Sequence, residues 1–508
     1  MSKTDNTPLL LLIHRMNKNE KRHFKLYARS HSPNTGIINY LELFDLIAKQ
    51  NEYDEEYILK KNIVRKEHFR MLKNYLYNLI LESLRVLHNN RNEIDNQLNN
   101  LISNAFIMRE KGVEKEELKY LEKAKQLAFE HERWGPALQA ILMQSEKMTR
   151  DVNTATMEQI EKEAKELLKK IENFFQYKRK RRESLQLLKT LDIQKSIRSK
   201  KEVRKILIHP FIRNIRNAMT APAVKEGVFT RLMCLTAIGD FEGTLRELHQ
   251  ALNFLEANYS KIDFPENHLA SVLSNMAGRQ MELGKFDEAF PTIQKHRSIT
   301  TRSLTARDYI FIFSYVNETN YYLATGEFER GIKAIEKMEE QMSKIKFLIH
   351  YTAIYVLYFN CAEIYFGTGK YSRALHWTRK ITNAPAEACA EDIRAWAHII
   401  TILIHYEIKT SDILEHLTSS AKRFLDKRAR LYKVEESVLT FMRRQNDITA
   451  DKKIHKEEFQ KFRNELKEIT KDPQEEKALM YFDLLSWVES KIQNKPISEI
   501  VKQKARLN

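Results

Sequence analysis

An all-α fold, a solenoid of stacked helical hairpins, is the class this sequence predicts, and three observations predict it. Breakers are scarce: 12 glycines and 10 prolines in 508 residues, well under the usual ~7% and ~5%. No stretch alternates apolar and polar residues between turn dipeptides, so no sheet is expected. The third observation is a pattern that occurs four times between Val228 and Ile381.

The four copies are Gly239-Asp240-Phe241, Gly284-Lys285-Phe286, Gly326-Glu327-Phe328 and Gly369-Lys370-Tyr371, with glycines 45, 42 and 43 residues apart. Each glycine closes an apolar helical run, where the φ > 0 conformation costs it nothing. The aromatic two residues on is expected to fill the corner. A small residue three further (Ala289, Gly331, Ala374) lets the second helix approach closely. Neither helix buries its apolar face alone, so neighbouring hairpins must stack. Asn317, Thr319, Tyr322, Gly326, Phe328 and Gly331 resemble the tetratricopeptide repeat (TPR) motif. So do Asn360, Cys361, Ala362, Tyr365, Gly369, Tyr371 and Ala374, and also Asn275, Met276, Ala277, Gly284, Phe286 and Ala289. The copy at Gly239 is weaker. The period exceeds the family's ~34 residues, and Thr319 stands where the family places a small residue. The resemblance covers under half the chain and implies a right-handed solenoid of TPR-like hairpins, with non-repeat helical units at both ends.

In chain order, residues 1–90 read as an N-terminal helical unit. Asn17 and Glu20 mark a helix start, Ser32–Gly36 a turn, and Tyr40–Ala48 and Phe69–Leu87 amphipathic helices. The basic run Lys18–Arg29 on the first helix reads as a solvated face or a nucleic-acid contact, and a helix-turn-helix module lacks a recognition-helix signature. Residues 91–220 continue in hairpins. Leu121, Ala124, Ala128, Trp134 and Ala137 echo the later repeat, with Arg133 and Trp134 in the corner. Residues 221–410 hold the TPR-like repeats. Beyond them, 411–508 reads as a C-terminal helical cap: a helical pair over Ser411–Arg444, a polar connection over Asp447–Lys453, a helix over His455–Ile469, and a last helix from Asp472-Pro473 carrying Leu479, Phe482, Leu485 and Val488.

The formal net charge of +17 favours acidic partners such as an acidic protein, nucleic acid, a ribosome or an anionic surface. Lys178 to Lys205 is the densest positive stretch, with twelve Lys/Arg against three acids; Lys178, Arg179, Lys180, Arg181, Arg182, Lys200 and Lys201 are the candidate phosphate contacts. The alternative is a charged outer face, and no aromatics are interleaved for base stacking. Cys234, Cys361 and Cys389 lack metal-ligand spacing and read as reduced core thiols. Leu9–Ile13 is too short for a secretory segment, and no run approaches the ~18 apolar residues of a membrane span. A cytoplasmic protein is expected.

The sequence offers no constellation for chemistry. Phe366–Tyr371 resembles a phosphate loop but lacks the full Walker spacing and a preceding strand. His398 and His405 are seven residues apart, farther than the i, i+4 spacing of metal-binding pairs. No enzyme, cofactor or metal is expected. The most informative feature is an asparagine ladder: Asn275, Asn317 and Asn360 each stand nine residues before a turn glycine. By resemblance to TPR proteins this position faces the concave groove, where an amide could pair with the backbone of a partner segment. Asparagine is also common there in the TPR consensus without binding anything. Val316, Asn320, Phe359 and Glu363 are further groove candidates. The function expected is a protein–protein interaction scaffold. The alternatives are a nucleic-acid- or ribosome-associated protein using the basic stretch, or a peptide-sensing regulator.

Overall fold

The computed structural model describes residues 8–31, 37–61, 66–89, 93–148, 154–190, 197–342, 352–427, 432–445, 452–472, 475, 479 and 481–505. Among them every regular element is a helix. None of these helices is long and apolar enough to cross a membrane. The Ser32–Gly36 turn, most of the 447–453 connection, Pro473 and residues 191–196 of the basic stretch lie outside the described residues. The chain divides into two compact units, Met1–Leu167 and Leu168–Asn508.

In the first unit, α1 (Pro8–Arg15), α2 (Lys18–His31), α3 (Ile37–Lys49), α4 (Glu55–Leu59) and α5 (Lys66–Asn89) close around Phe24, Phe44, Leu76 and Ile80. The start of α2 is a reciprocal capping box: the Asn17 N–H donates to Glu20 and the Glu20 N–H to Asn17, each at 2.9 Å. Next come α6 (Ile94–Glu110), α7 (Glu114–Glu130) and α8 (Trp134–Met148), packed through Ile102, Ala105, Leu121, Ala124 and Ala140. Arg109 ties the three together, binding Glu117 at 2.7 Å and Glu146 at 2.9 Å. The boundary between the units falls inside α9 (Thr154–Thr190).

The second unit continues with α10 (Ile197–Ile208) and α11 (Pro210–Arg213) and then enters the hairpins. These are α12 (Ala221–Ile238) with α13 (Phe241–Ala257), α14 (Pro265–Glu282) with α15 (Phe286–Ser298), α16 (Leu304–Thr325) with α17 (Phe328–Met342), and α18 (Ala353–Gly367) with α19 (Tyr371–Thr382). In each, the turn glycine takes φ between 70° and 78°. The next residue's N–H donates to the carbonyl five residues back: Asp240 to Leu235, Lys285 to Gln280, Glu327 to Tyr322 and Lys370 to Tyr365, at 2.8–3.1 Å. This is the Schellman closure the glycine pattern implies.

A fifth hairpin follows, α20 (Glu391–Glu407) with α21 (Ser411–Leu425). Its turn has the same geometry, but Lys409 occupies the left-handed position at φ 57°, and Thr410 donates to His405 at 3.1 Å. The repeat thus runs on to α21, and the pattern was hidden because lysine replaces glycine. Lysine there strains the backbone, and its side chain is exposed. Lys409→Gly should therefore stabilise the chain by about 1 kcal/mol, read as a higher urea midpoint at unchanged m-value.

The first helices of successive hairpins stack on one another, α14 on α16, α16 on α18 and α18 on α20, while each second helix packs on the next first helix. The small residues work as expected: Ala289 and Ala374 are fully buried, and a methyl on Gly331 would come 3.0 Å from Ile364 Cδ1. The corner aromatic enters the core at Phe328, whereas Phe241 stays exposed beneath the Arg279 guanidinium, 4.8 Å above its ring. Cys234, Cys361 and Cys389 are free, buried thiols.

The remaining helices are α22 (Lys433–Gln445), α23 (Lys452–Ile469), α24 (Leu484–Gln493) and α25 (Ile497–Ala505). The helix expected from Asp472-Pro473 begins only at Leu484, leaving Leu479 and Phe482 ahead of it, and Asp483 caps it by accepting the Ser486 N–H at 3.0 Å. Asn494, at φ 51°, then turns the chain, and α25 comes to rest on α16 of the third hairpin. These helices share one core with the last three hairpins, containing Trp377, Trp396 and Trp487. The C-terminal segment therefore returns across the first-helix face, beyond closing the end of the stack.

Candidate partner-binding cavity

Helix α18 carries Val356, Phe359, Asn360, Glu363, Phe366 and Gly367 on a single stripe, because steps of three and four residues return to one helical face. Beside it, α16 presents Asn320, Leu323 and Ala324. Opposite stand Tyr481, Phe482 and Asp483 from the segment entering α24, and Ile497, Val501 and Lys504 of α25. These walls line an open cavity of about 850 Å³, within the range of small-ligand and peptide side-chain sites. Ser498 and Lys502, on the other side of α25, face a second cavity of about 920 Å³ along the hairpin turns.

The walls of the first cavity are aromatic and acidic. Phe482 packs edge-on against Phe366 with centroids 5.7 Å apart. Asp392 accepts the Tyr481 hydroxyl at 3.1 Å, and Lys504 lies 3.3 Å from Asp483. Glu363 has no hydrogen bond or ion pair among the described residues. Burial, reinforced by the Asp483 charge, pushes its carboxyl well above its ordinary pKa. The other titratable groups lining this space are Asp392, Tyr432, Tyr481 and Lys504.

A carboxyl raised in the folded state binds protons more tightly there than in the unfolded chain. The stability it contributes is complete below its unfolded pKa and is lost as pH rises toward the folded value. Glu363→Gln should consequently raise Tm above that of the wild type at pH 7–8, with the difference closing near pH 4.5. Paired thermal melts across that range check this.

Of the residues singled out by sequence, Asn320, Phe359, Asn360 and Glu363 come together at this cavity. The asparagine ladder has another arrangement than a row of free clamps. Asn317 is buried, and its amide donates to the Ser274 carbonyl at 3.0 Å and to the Ser274 hydroxyl at 3.1 Å. Asn360 is also buried and donates to Thr319 Oγ1 at 3.0 Å and Asn320 Oδ1 at 2.7 Å. Each amide thus reaches back to the preceding hairpin, and these N–H groups are already committed inside the solenoid. The same bond explains Thr319, whose hydroxyl is the acceptor that a small apolar residue would lack. Asn275 is exposed on α14 and donates to the Ser271 carbonyl of its own helix at 2.7 Å. Val316 is core.

The basic candidates lie elsewhere in the fold. Lys178, Arg179 and Arg182 on α9 are exposed and without an ion pair among the described residues, as are Lys200 and Lys201 on α10. Lys180 pairs with Glu183 at 3.0 Å, and Arg181 with the buried Glu226 at 2.8 Å. Sequence reasoning missed the whole opposite wall of the cavity. The local signals were the apolar spacing of Leu479 and Phe482 and that of Ile497, Ile500 and Val501 behind Asn494, which mark amphipathic segments without saying where they dock.

No protein-family model matches the chain, and no curated protein matches it. Among solved structures, the chain is similar to a signal transduction ATPase with numerous domains (STAND protein) with a tetratricopeptide repeat sensor from Pyrococcus horikoshii, at 14% identity and a TM-score of 0.34. The alignment covers 100% of this chain and 65% of that one, so the chain spans about two thirds of that protein's length.

Proposed function

We propose that this protein is a non-enzymatic, cytoplasmic interaction scaffold whose repeats hold a partner segment on their first-helix face. One observation carries the reading: that face already holds a helix, the chain's own α25, which lies on α16 and roofs the 850 Å³ cavity. A surface that seats one short amphipathic helix has the shape and apolar character to seat another. The partner segment would enter beside or in place of α25, against Phe359, Asn320 and Glu363.

The test is to pan a random peptide display library against the full-length chain and its Ala324→Trp variant. Ala324 is exposed at the cavity wall, so an indole there fills the space with little effect on the core. Peptides enriched on the wild type should lose binding to the variant. Enriched peptides that bind both equally would refute the site, and failure to enrich any would refute the function.

Lys178, Arg179 and Arg182, exposed and without an ion pair among the described residues, support a second reading, binding to nucleic acid. It predicts affinity for RNA or DNA that falls steeply with salt, by about one log unit per log unit of salt for each phosphate neutralised.

A further inference from the structure

We infer that the cavity between α16, α18 and α25 is a receptor for an organic cation, a guanidinium or ammonium group, seated on Glu363. The inference rests on the reading above and names the chemistry of the partner. Three features point to it. The first is charge: among the described residues, Glu363 and Asp483 face the cavity with one ammonium, Lys504, and Lys504 is engaged by Asp483. Glu363 has no cation of its own among the described residues. A partly buried carboxylate beside a second negative charge is disfavoured in its ionised form and is stabilised by an opposite charge placed against it. The second is the wall chemistry. Phe359, Phe366 and Phe482 supply aromatic rings, and Val356, Leu323 and Val501 supply aliphatic surface. Rings attract a delocalised cation and aliphatic surface takes its alkyl stem. The third is the absence, among the described residues, of any group of three or more His, Cys, Asp and Glu side chains placed to hold a metal ion. The carboxylates are spread around an open space, which suits a larger, planar guest.

The local charge is thus opposite to that of the chain as a whole. A protein of net charge +17 presents an acidic, aromatic receptacle, and long-range attraction of an acidic partner would not fill it. An arginine or lysine side chain projecting from a peptide would.

The experiment uses the full chain with two pairs of probes of matched shape. The free pair is n-butylguanidinium chloride and neutral n-butylurea. The peptide pair is acetyl-Leu-Arg-Leu-amide and the same peptide with citrulline for arginine. Binding is read by ligand-observed NMR and by saturable shifts in Tm at constant ionic strength and pH 7.5. The expected result is saturable binding of both cationic probes, at least tenfold weaker binding of the neutral partners, and at least a tenfold loss of cation binding in Glu363→Gln. That variant is expected to fold at least as stably as the wild type, so its loss of binding reports the site. Equal binding of arginine and citrulline peptides would overturn the cation site while leaving the peptide-binding function intact. Binding of n-butylguanidinium without the arginine peptide would support the cation site and count against the peptide reading. Binding by neither cation, or unchanged binding in Glu363→Gln, would overturn the inference.

Discussion

Replacing Gly326 by alanine is expected to unseat the C-terminal helix, whereas the same change at Gly369 should leave it in place. Both glycines adopt the left-handed conformation, at φ 70° and 73°. Each substitution therefore carries a backbone cost of about 1–2 kcal/mol. The surroundings differ. A Cβ at Gly369 meets nothing within 4 Å, but at Gly326 it would lie 2.6 Å from the Ser498 carbonyl oxygen and 2.9 Å from the Lys502 backbone nitrogen. Those atoms belong to the backbone of α25 and cannot rotate aside, so the helix itself has to move. Displacement exposes Ile500 and Val501, now 2% and 7% accessible, each worth roughly 1.5–3 kcal/mol when fully buried. Gly326→Ala should accordingly lose about 2 kcal/mol more than Gly369→Ala in urea unfolding. Trypsin should also cut it faster at Lys502 and Lys504. Indistinguishable losses and cleavage rates would mean that α25 is not held on the hairpin turn.

Trp487→Ala is expected to have the largest effect of any single truncation in the C-terminal helices. The indole is fully buried, packed edge-on against Phe459 at 5.5 Å and Tyr406 at 6.1 Å. Its Nε1–H donates to Glu407 at 2.7 Å, and Lys491 holds the other Glu407 oxygen at 2.6 Å. Alanine leaves a cavity costing about 3–5 kcal/mol and removes a bond to a charged acceptor. Because α24 shares its core with the last three hairpins, the loss should appear in the main unfolding transition. Circular dichroism at 222 nm through a urea titration measures it, and a change under about 1 kcal/mol would contradict the packing described.

The hairpins were legible because their signal is local. A glycine at φ near 70° ends a helix whatever surrounds it, and four glycines at a steady spacing reveal the repeat. The fifth hairpin was hidden by the same logic: Lys409 adopts that conformation with no residue-type signal, as does Glu132 between α7 and α8. The asparagine ladder shows a different limit. Its register was readable, but whether an amide faces a groove or the preceding hairpin depends on how closely the first helices stack. Asn317 and Asn360 are covered by Ser274 and Thr319, residues more than forty positions away in sequence. The cavity was half visible. Asn320, Phe359 and Glu363 followed from helical spacing on the repeats, while Tyr481 and Asp483 come from the segment entering α24 and Lys504 arrives by a chain reversal at Asn494 that no local pattern directs to α16. The expectation of an acidic partner came from summed charge, and a sum says nothing about the sign inside one cavity.

The claim that the first-helix face beneath α25 is the partner site is tested most directly by amide hydrogen exchange on the full chain with and without saturating acetyl-Leu-Arg-Leu-amide. The account predicts slowed exchange confined to α16, α18 and the 481–505 segment, and none of it in Glu363→Gln. Protection centred on α9 and α10, or equal protection in the variant, would contradict it.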